Sequence, residues 1–256
     1  MKLAVIGDPV AHSASPALHR AFLAEAGIEG TYEAIRVLAG DGARAIDDLR
    51  SRGYAGLNVT TPLKEEAYAR ADERDAAAIA AGSANTLVFG PRIVAYNTDG
   101  IGAIGALRAA GLDDVAGRMI LVLGAGPTAR SCIVALEAAG AATYLWNRTR
   151  ATAERLAASL GTRVWQPSSP PPAAPLSALP PHATFADAEL RRTLTHCSTI
   201  VDANYGDRST LGEILDRPVH DGTDMLKASA AASFARFTSR GELSSSTDAD
   251  GRPAPS

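Results

Sequence analysis

Cysteine is almost missing from this chain. There are two in 256 residues, Cys132 and Cys197, far apart and without nearby histidines at metal-ligand spacing. That argues against a disulfide framework and against a zinc site, so no metal is expected and a reducing cytoplasm is the natural setting. No apolar run approaches the roughly 18 residues that a membrane span needs. The apolar stretch after Met1 is only about five residues long, too short for a signal peptide, and reads as a buried first strand. Blocks of positive charge are also lacking: 25 Lys and Arg stand against 28 Asp and Glu, for a formal net charge of −3. Nucleic acid is therefore not an expected partner. No internal repeat is visible. What remains is 46% hydrophobic and 21% charged, an ordinary globular composition, and its length suits one large domain or two modest ones.

Short apolar runs alternate with helical patterns almost from end to end. Leu3–Ile6 reads as a strand and Pro16–Ala26 as a helix with Ser15 as its N-cap. Thr31–Val37 and Gly56–Thr60 are further strands, with a helix over Asp41–Arg52 between them and another opened by Pro62. Leu87–Phe89 and Ile93–Tyr96, separated by Gly90-Pro91-Arg92, carry a hairpin signal, and a helix over Gly100–Ala110 follows. The second half repeats the alternation: strands at Met119–Leu123 and Thr143–Trp146, helices at Thr128–Ala139 and Arg150–Leu160. Such an order predicts an α/β protein with mainly parallel sheets covered on both faces. Residues 167–181 hold seven prolines and read as a loop or extended connector. From about Ser239 the chain turns polar, which predicts a flexible tail over 240–256.

Ile120-Leu121-Val122-Leu123 runs straight into Gly124-Ala125-Gly126-Pro127-Thr128-Ala129. Strand, glycine-rich turn and helix in that order form a dinucleotide-binding fingerprint. Gly124 permits the tight turn, Gly126 lets the backbone approach a pyrophosphate, and Ala129 is small enough for close helix–strand packing. The free N–H groups and positive dipole end of the helix then hold the anion. An ordinary βα turn is the plainer alternative. The next strand ends in Trp146-Asn147-Arg148-Thr149, where an NAD site normally carries Asp or Glu for the ribose hydroxyls. A cation in place of that carboxylate suits a 2′-phosphate, with Thr149 adding a hydroxyl. NADP is thus favoured over NAD, although Arg148 also suits a solvated helix start.

The first hundred residues concentrate small polar groups at element ends: Ser13-Ala14-Ser15-Pro16, Asn58-Val59-Thr60-Thr61-Pro62-Leu63-Lys64, Gly82-Ser83-Ala84-Asn85-Thr86 and Asn97-Thr98-Asp99-Gly100. In α/β sheets such ends converge on the ligand crevice. Hydroxyls, amides, one ammonium and one carboxylate suit a small polyhydroxylated acid. Each has a plain alternative too: Asn97 or Asp99 as a helix cap, and Lys64 as a surface lysine.

Taken together, these clusters resemble the shikimate dehydrogenase family, from about residue 3 to residue 160, and more weakly at Val201–Tyr205 and Asp221–Leu226. The resemblance implies reversible, NADP-dependent reduction of 3-dehydroshikimate to shikimate, in the shikimate pathway, by an oxidoreductase acting on a CH–OH group. It implies Lys64 and Asp99 as the catalytic pair. Lys64 gives a proton to the carbonyl oxygen or holds that oxygen while water relays it, and Asp99 orients it. A paired carboxylate favours the charged ammonium and desolvation opposes it, a balance the sequence leaves open. Ser13, Ser15, Thr60 and Asn85 are implied to bind the substrate's carboxylate and hydroxyls, with Tyr205 and Ser229 also at the substrate. Gly124, Ala125, Gly126, Pro127, Thr128, Asn147, Arg148, Thr149 and Gly222 are implied on the cofactor side. His12 and His19 read as structural.

Three departures qualify the match. Ser229 stands where the family usually carries a substrate-reaching Gln, Pro127 where a third Gly is common, and Thr152 where a further basic residue is common. Ser177-Ala178-Leu179-Pro180 reads as a degenerate form of the family's strand-end segment near the cofactor. Ser229 opens the site to a related ring acid, quinate or an amino-substituted analogue, and a non-catalytic protein that senses NADP or a metabolite is the other alternative. The expected architecture is a substrate-binding domain over 1–100, a Rossmann-type doubly wound domain over 101–222, and a helix over 223–239 returning to the first domain. The chain is expected to act as a monomer or homodimer.

Overall fold

The computed structural model describes residues 1–184 and 186–239; the expected tail over 240–256 lies outside them. The chain opens with β1 (Lys2–Gly7), α1 (Ser15–Glu25), β2 (Thr31–Arg36), α2 (Gly42–Ser51) and β3 (Gly56–Val59). It continues through α3 (Lys64–Arg70), β4 (Glu73–Arg74), α4 (Ala76–Ala81), β5 (Thr86–Phe89) and β6 (Ile93–Tyr96). These strands form a six-stranded sheet in the order β2-β1-β3-β5-β6-β4. Its β1–β2, β1–β3 and β4–β6 pairs are parallel, and the β5–β6 hairpin makes the antiparallel pairs.

Helix α5 (Asp99–Ala109) leads to β7 (Met119–Leu123), α6 (Pro127–Ala138), β8 (Ala142–Trp146), α7 (Arg150–Leu160) and β9 (Arg163–Val164). After β10 (Ala174–Ser177), α8 (Ala188–His196) and β11 (Val201–Asp202) come a 3-10 turn at Gly206–Arg208, α9 (Leu211–Leu215) and α10 (Thr223–Thr238). This second sheet, β11-β10-β7-β8-β9, is parallel throughout. It is the doubly wound arrangement that the strand–helix alternation predicts.

The apolar runs in β1 and β7 are explained by what covers them. Ala4 and Ile6 join one core cluster while Leu3 and Val5 join another on the opposite face. In β7, Ile120 and Val122 face one cluster and Leu121 and Leu123 the other. Strands buried on both faces lose the polar–apolar alternation of a half-exposed strand. Helix α10 joins the two halves: Met225 packs into the core of the second sheet and Phe237 into that of the first. Its closest neighbours are α5 and α1. The α5–α10 contact depends on a glycine, since a Cβ at Gly102 would lie 2.6 Å from the Met225 carbonyl oxygen.

Three local expectations are corrected. Ser15 is the first residue of α1 rather than its cap; Ala14 holds the cap position without a side-chain bond, and Pro16 sits in the first turn as Pro allows. The proline-rich stretch 167–181 is not only connector, because it contains β10. Pro175 pairs opposite Leu121, and the ladder to β11 begins only at Leu176, so a residue without an N–H is tolerated near this strand's start. Pro62 opens a turn, and α3 begins two residues later. The short α4 and the two-residue β4 have no counterpart in the sequence reading.

Candidate functional site

A cavity of about 440 Å³ opens where β1 and β3 of the first sheet end, between that sheet and the turn following β11. Ser13, Ser15, Thr60, Lys64, Asn85, Asp99, Tyr205 and Ser229 all line it. These are the eight residues expected on the substrate side, drawn from both halves of the chain. Each arrives by a separate route: Ser13 and Ser15 at the start of α1, Thr60 just past β3, Lys64 opening α3, Asn85 just before β5, Asp99 opening α5, and Ser229 within α10.

At the centre, Lys64 and Asp99 form a buried ion pair between Nζ and Oδ2. The other carboxylate oxygen, Oδ1, accepts from Asn85 Nδ2 at 2.7 Å. Asn85 is itself fixed, because its Oδ1 accepts from the Thr98 backbone N–H at 2.9 Å. Asn97 completes the frame by accepting from the Asp99 N–H at 3.1 Å and donating to Ser131 Oγ at 2.8 Å. The carboxylate therefore cannot rotate away from the lysine without breaking several buried bonds. A buried charge pair is tolerated where the remaining lone pairs are satisfied in this way. Lys64 also donates to Thr128 Oγ1 at 3.0 Å, across to the start of α6.

Ser229 does not extend into the cavity as a longer side chain would. Its hydroxyl lies 2.8 Å from Thr98 Oγ1, and it accepts from Asn85 Nδ2 at 3.4 Å. Tyr205 reaches back over the first turn of α1, with its hydroxyl accepting from the Ala14 N–H at 3.4 Å. Asn58, missed among the expected site residues, lines the cavity as well. It accepts from the Tyr32 hydroxyl at 2.7 Å and donates to the Asn85 carbonyl at 3.3 Å. Its signal was available: an amide between Leu57 and Val59 in a buried strand needs a polar partner.

In the cavity wall, His19 is buried with neither ring nitrogen bonded among the described residues, and it stacks on Tyr32 at 4.4 Å between centroids. Burial lowers its pKa from the ordinary 6.5 to about 4, so it is neutral at physiological pH. Burial also raises the Tyr32 hydroxyl well above its usual range, which keeps it protonated and donating. His12, by contrast, is exposed at the cavity mouth.

The glycine turn meets the geometric demands of an anion site. Gly124 has φ +109°, a conformation that L side chains rarely adopt, and lies against the Ala178 carbonyl from the end of β10. Gly126 occupies the cap position of α6 with no side-chain cap, and a Cβ there would meet nothing within 4 Å. The Thr128 and Ala129 N–H groups thus begin the helix without intrahelical partners; Pro127 at the first position has none to offer. At the far end of β8, Asn147 and Arg148 line a separate cavity of about 270 Å³ with Arg150 and Trp146. Arg148 and Thr149 are exposed there, and Asn147 Nδ2 donates to the Thr149 carbonyl at 3.1 Å. Gly222 sits apart from both cavities. It is packed so tightly that a Cβ would lie 2.3 Å from the Ala203 carbonyl oxygen, so it fixes the approach to Tyr205 through backbone contact. No helix among the described residues is long and apolar enough to cross a membrane.

Comparisons with known proteins point the same way. Residues 5–87 match the model of the shikimate dehydrogenase substrate binding domain. The chain is 46% identical over 158 residues to the shikimate dehydrogenase (NADP(+)) of Acidiphilium cryptum, an alignment covering 61% of this chain and 57% of that protein. The match thus spans somewhat over half of the curated relative. In three dimensions the chain is similar to shikimate 5-dehydrogenase from Thermus thermophilus in complex with NADP(H) and shikimate. That pair has a TM-score of 0.80 and 31% identity, with 93% of this chain and 94% of the other covered. It is also similar to shikimate dehydrogenase from Mycobacterium tuberculosis, with a TM-score of 0.76, 32% identity, and coverage of 99% and 95%.

Proposed function

Since this chain belongs to the shikimate dehydrogenase family, we propose that it interconverts 3-dehydroshikimate and shikimate with NADP(H), as a cytoplasmic enzyme, monomeric or homodimeric, without a nucleic-acid partner. The observation that carries this reading is the buried Lys64–Asp99 pair, held by Asn85 in the wall of a cavity of about 440 Å³. The supporting division of labour is a substrate domain over 1–100, a cofactor domain over 101–222 and a returning helix over 223–239.

The uncapped start of α6 accepts a pyrophosphate through the Thr128 and Ala129 N–H groups, with Gly124, Ala125 and Gly126 allowing close approach. Pro127 pre-sets the helix direction. Asn147, Arg148 and Thr149 take the adenosine end, Arg148 meeting a 2′-phosphate. NADPH when bound supplies the hydride. Ser13 and Ser15 hold the ring carboxylate, with Tyr205 lying over them, and Thr60 and Asn85 hold ring hydroxyls. Lys64 donates from Nζ to the oxygen that gains negative charge, and in the reverse direction takes that proton back. Asp99 keeps the ammonium aimed at that oxygen. Gly222 acts through Ala203 and Asn204 by setting the height of the Tyr205 turn.

Ser229 supports a second reading. Its short side chain, tied to Thr98, leaves room beside Asn85 for a differently substituted ring acid, quinate or an amino-substituted analogue. Both readings are tested by following nicotinamide absorbance with shikimate and with quinate, each with NADP and with NAD. Turnover of shikimate with NADP supports the first, and preference for another ring acid supports the second. NADP binding without turnover of any ring acid would instead favour a sensor.

A further inference from the structure

We propose that Thr128 is a positioning residue for Lys64, tying the lysine that carries the chemistry directly to the cofactor turn. This rests on the dehydrogenase reading above. An ammonium has three N–H bonds. Lys64 spends one on Asp99 Oδ2 and one on Thr128 Oγ1, at 3.0 Å, and has no third partner among the described residues. Two anchors on different elements fix the direction of the third N–H, which is left to the cavity that Lys64 lines. With Asp99 alone, the ammonium would pivot about a single contact, and the flexible four-carbon stem would not stop it.

The contact is set by packing around the first turns of α6. Arg130 pairs with Glu65, the neighbour of Lys64 on α3. Ser131 Oγ accepts from Asn97 Nδ2 at 2.8 Å and donates to the Pro127 carbonyl at 2.9 Å. Gly100 brings α5 against α6 so closely that a Cβ there would lie 2.3 Å from the Ala135 Cβ. Residues 128, 130 and 131 of one helix thus each reach a residue at or beside the Lys64–Asp99 pair, and only Thr128 reaches the lysine itself. The same residue offers its backbone N–H toward the anion site and its hydroxyl toward the lysine. A bound pyrophosphate that orders the first turn of α6 therefore also orders the proton donor.

The test compares T128V, which keeps the shape and loses the hydroxyl, with T128S, which keeps the hydroxyl. In the ligand-free protein, reductive methylation followed by peptide mass spectrometry reads Lys64 directly. Its modification rate should rise at least threefold in T128V and stay at the wild-type rate in T128S. An unchanged rate in T128V overturns the proposal, and this arm is decided whether or not the wild type turns over. In steady-state assays with NADP and shikimate, T128V should lose about tenfold in kcat with the KM for NADP within twofold, and T128S should restore the rate. A raised KM for NADP with kcat unchanged would mean that the hydroxyl serves the cofactor turn, which also overturns the proposal. Absence of wild-type turnover with shikimate and with every other ring acid tried refutes the dehydrogenase reading and leaves the methylation result to judge Thr128.

Discussion

The two ends of the site are built on opposite plans. Around Lys64 the polar groups are buried and already bonded to one another: Asn85, Asn97, Thr98 and Asp99 are each less than a tenth exposed and share several hydrogen bonds. Around Arg148 they are more exposed and bonded only locally: Asn147 donates to the Thr149 carbonyl and Arg150 pairs with Glu154 one turn on, while the Arg148 guanidinium makes no hydrogen bond or ion pair among the described residues. On the proposed function, the difference teaches where each kind of work would be done. Proton donation needs a fixed distance and direction, so its geometry is assembled in advance, away from water that would compete for every bond. Anion capture tolerates a mobile cation, because charge attraction acts over several ångströms and is sharpened only on contact.

Substitutions can break this contrast at either end. The largest effect is expected from Lys64→Ala, which should lower kcat by about 10²–10⁴-fold while equilibrium binding of NADP stays near the wild-type value; a comparable loss in both would erase the division. Next comes His19, whose neutral burial belongs to the dry end. Its pKa falls from 6.5 to about 4 on folding, so the unfolded chain binds the proton first as pH drops. Stability from this group is fully present above pH 6.5 and is lost between 6.5 and about 4, up to about 3 kcal/mol. Urea unfolding at pH 7, 5.5 and 4 should show this slope in the wild type, and His19→Phe should lack it. Because Asp75 and Asp202 are shifted upward by burial and act in the opposite sense, the comparison between the two proteins isolates the histidine.

At the wet end, Arg148→Ala should reduce the preference for NADP over NAD by about 10–100-fold, the scale of one charge-assisted contact, with the KM for NAD unmoved. Equal losses with both cofactors would assign Arg148 to the helix start alone. The smallest effect should come from Ser229→Gln, which places a longer amide beside Asn85. A change of about tenfold or less in the ratio of kcat/KM for shikimate over quinate, in favour of shikimate, is expected; no change would remove Ser229 as a specificity residue.

The same contrast governs what could be read from the chain. The convergence of Lys64, Asn85 and Asp99 on one cavity was legible because they sit in polar clusters at element ends and those clusters together resemble the shikimate dehydrogenase family. The hairpin was legible because Gly90-Pro91-Arg92 separates two short apolar runs, and the turn after Leu123 because Gly124 at φ +109° demands a glycine. Strand β10 was not, since its local composition argues against a strand and pairing with β7 and β11 overrides it. Helix α4 is a run of alanines around one exposed isoleucine, with no amphipathic period to detect. The reach of Thr128 to Lys64 and the stacking of His19 on Tyr32 depend on side-chain direction across elements distant in sequence, which no local pattern encodes.

Helix α10 has one more consequence, in the order of synthesis. Ser229 and Ala230 line the cavity beside Lys64 and Phe237 shares a core with Tyr32, yet these residues are translated after almost everything they touch. A nascent chain ending before Thr223 carries both Lys64 and Asp99 but leaves His19 and Phe22 with an uncovered flank. Domains made early normally fold as they emerge; here an aromatic flank of the first half is covered by the last helix. Until that helix docks, the nascent first half offers chaperones an exposed aromatic surface to shield.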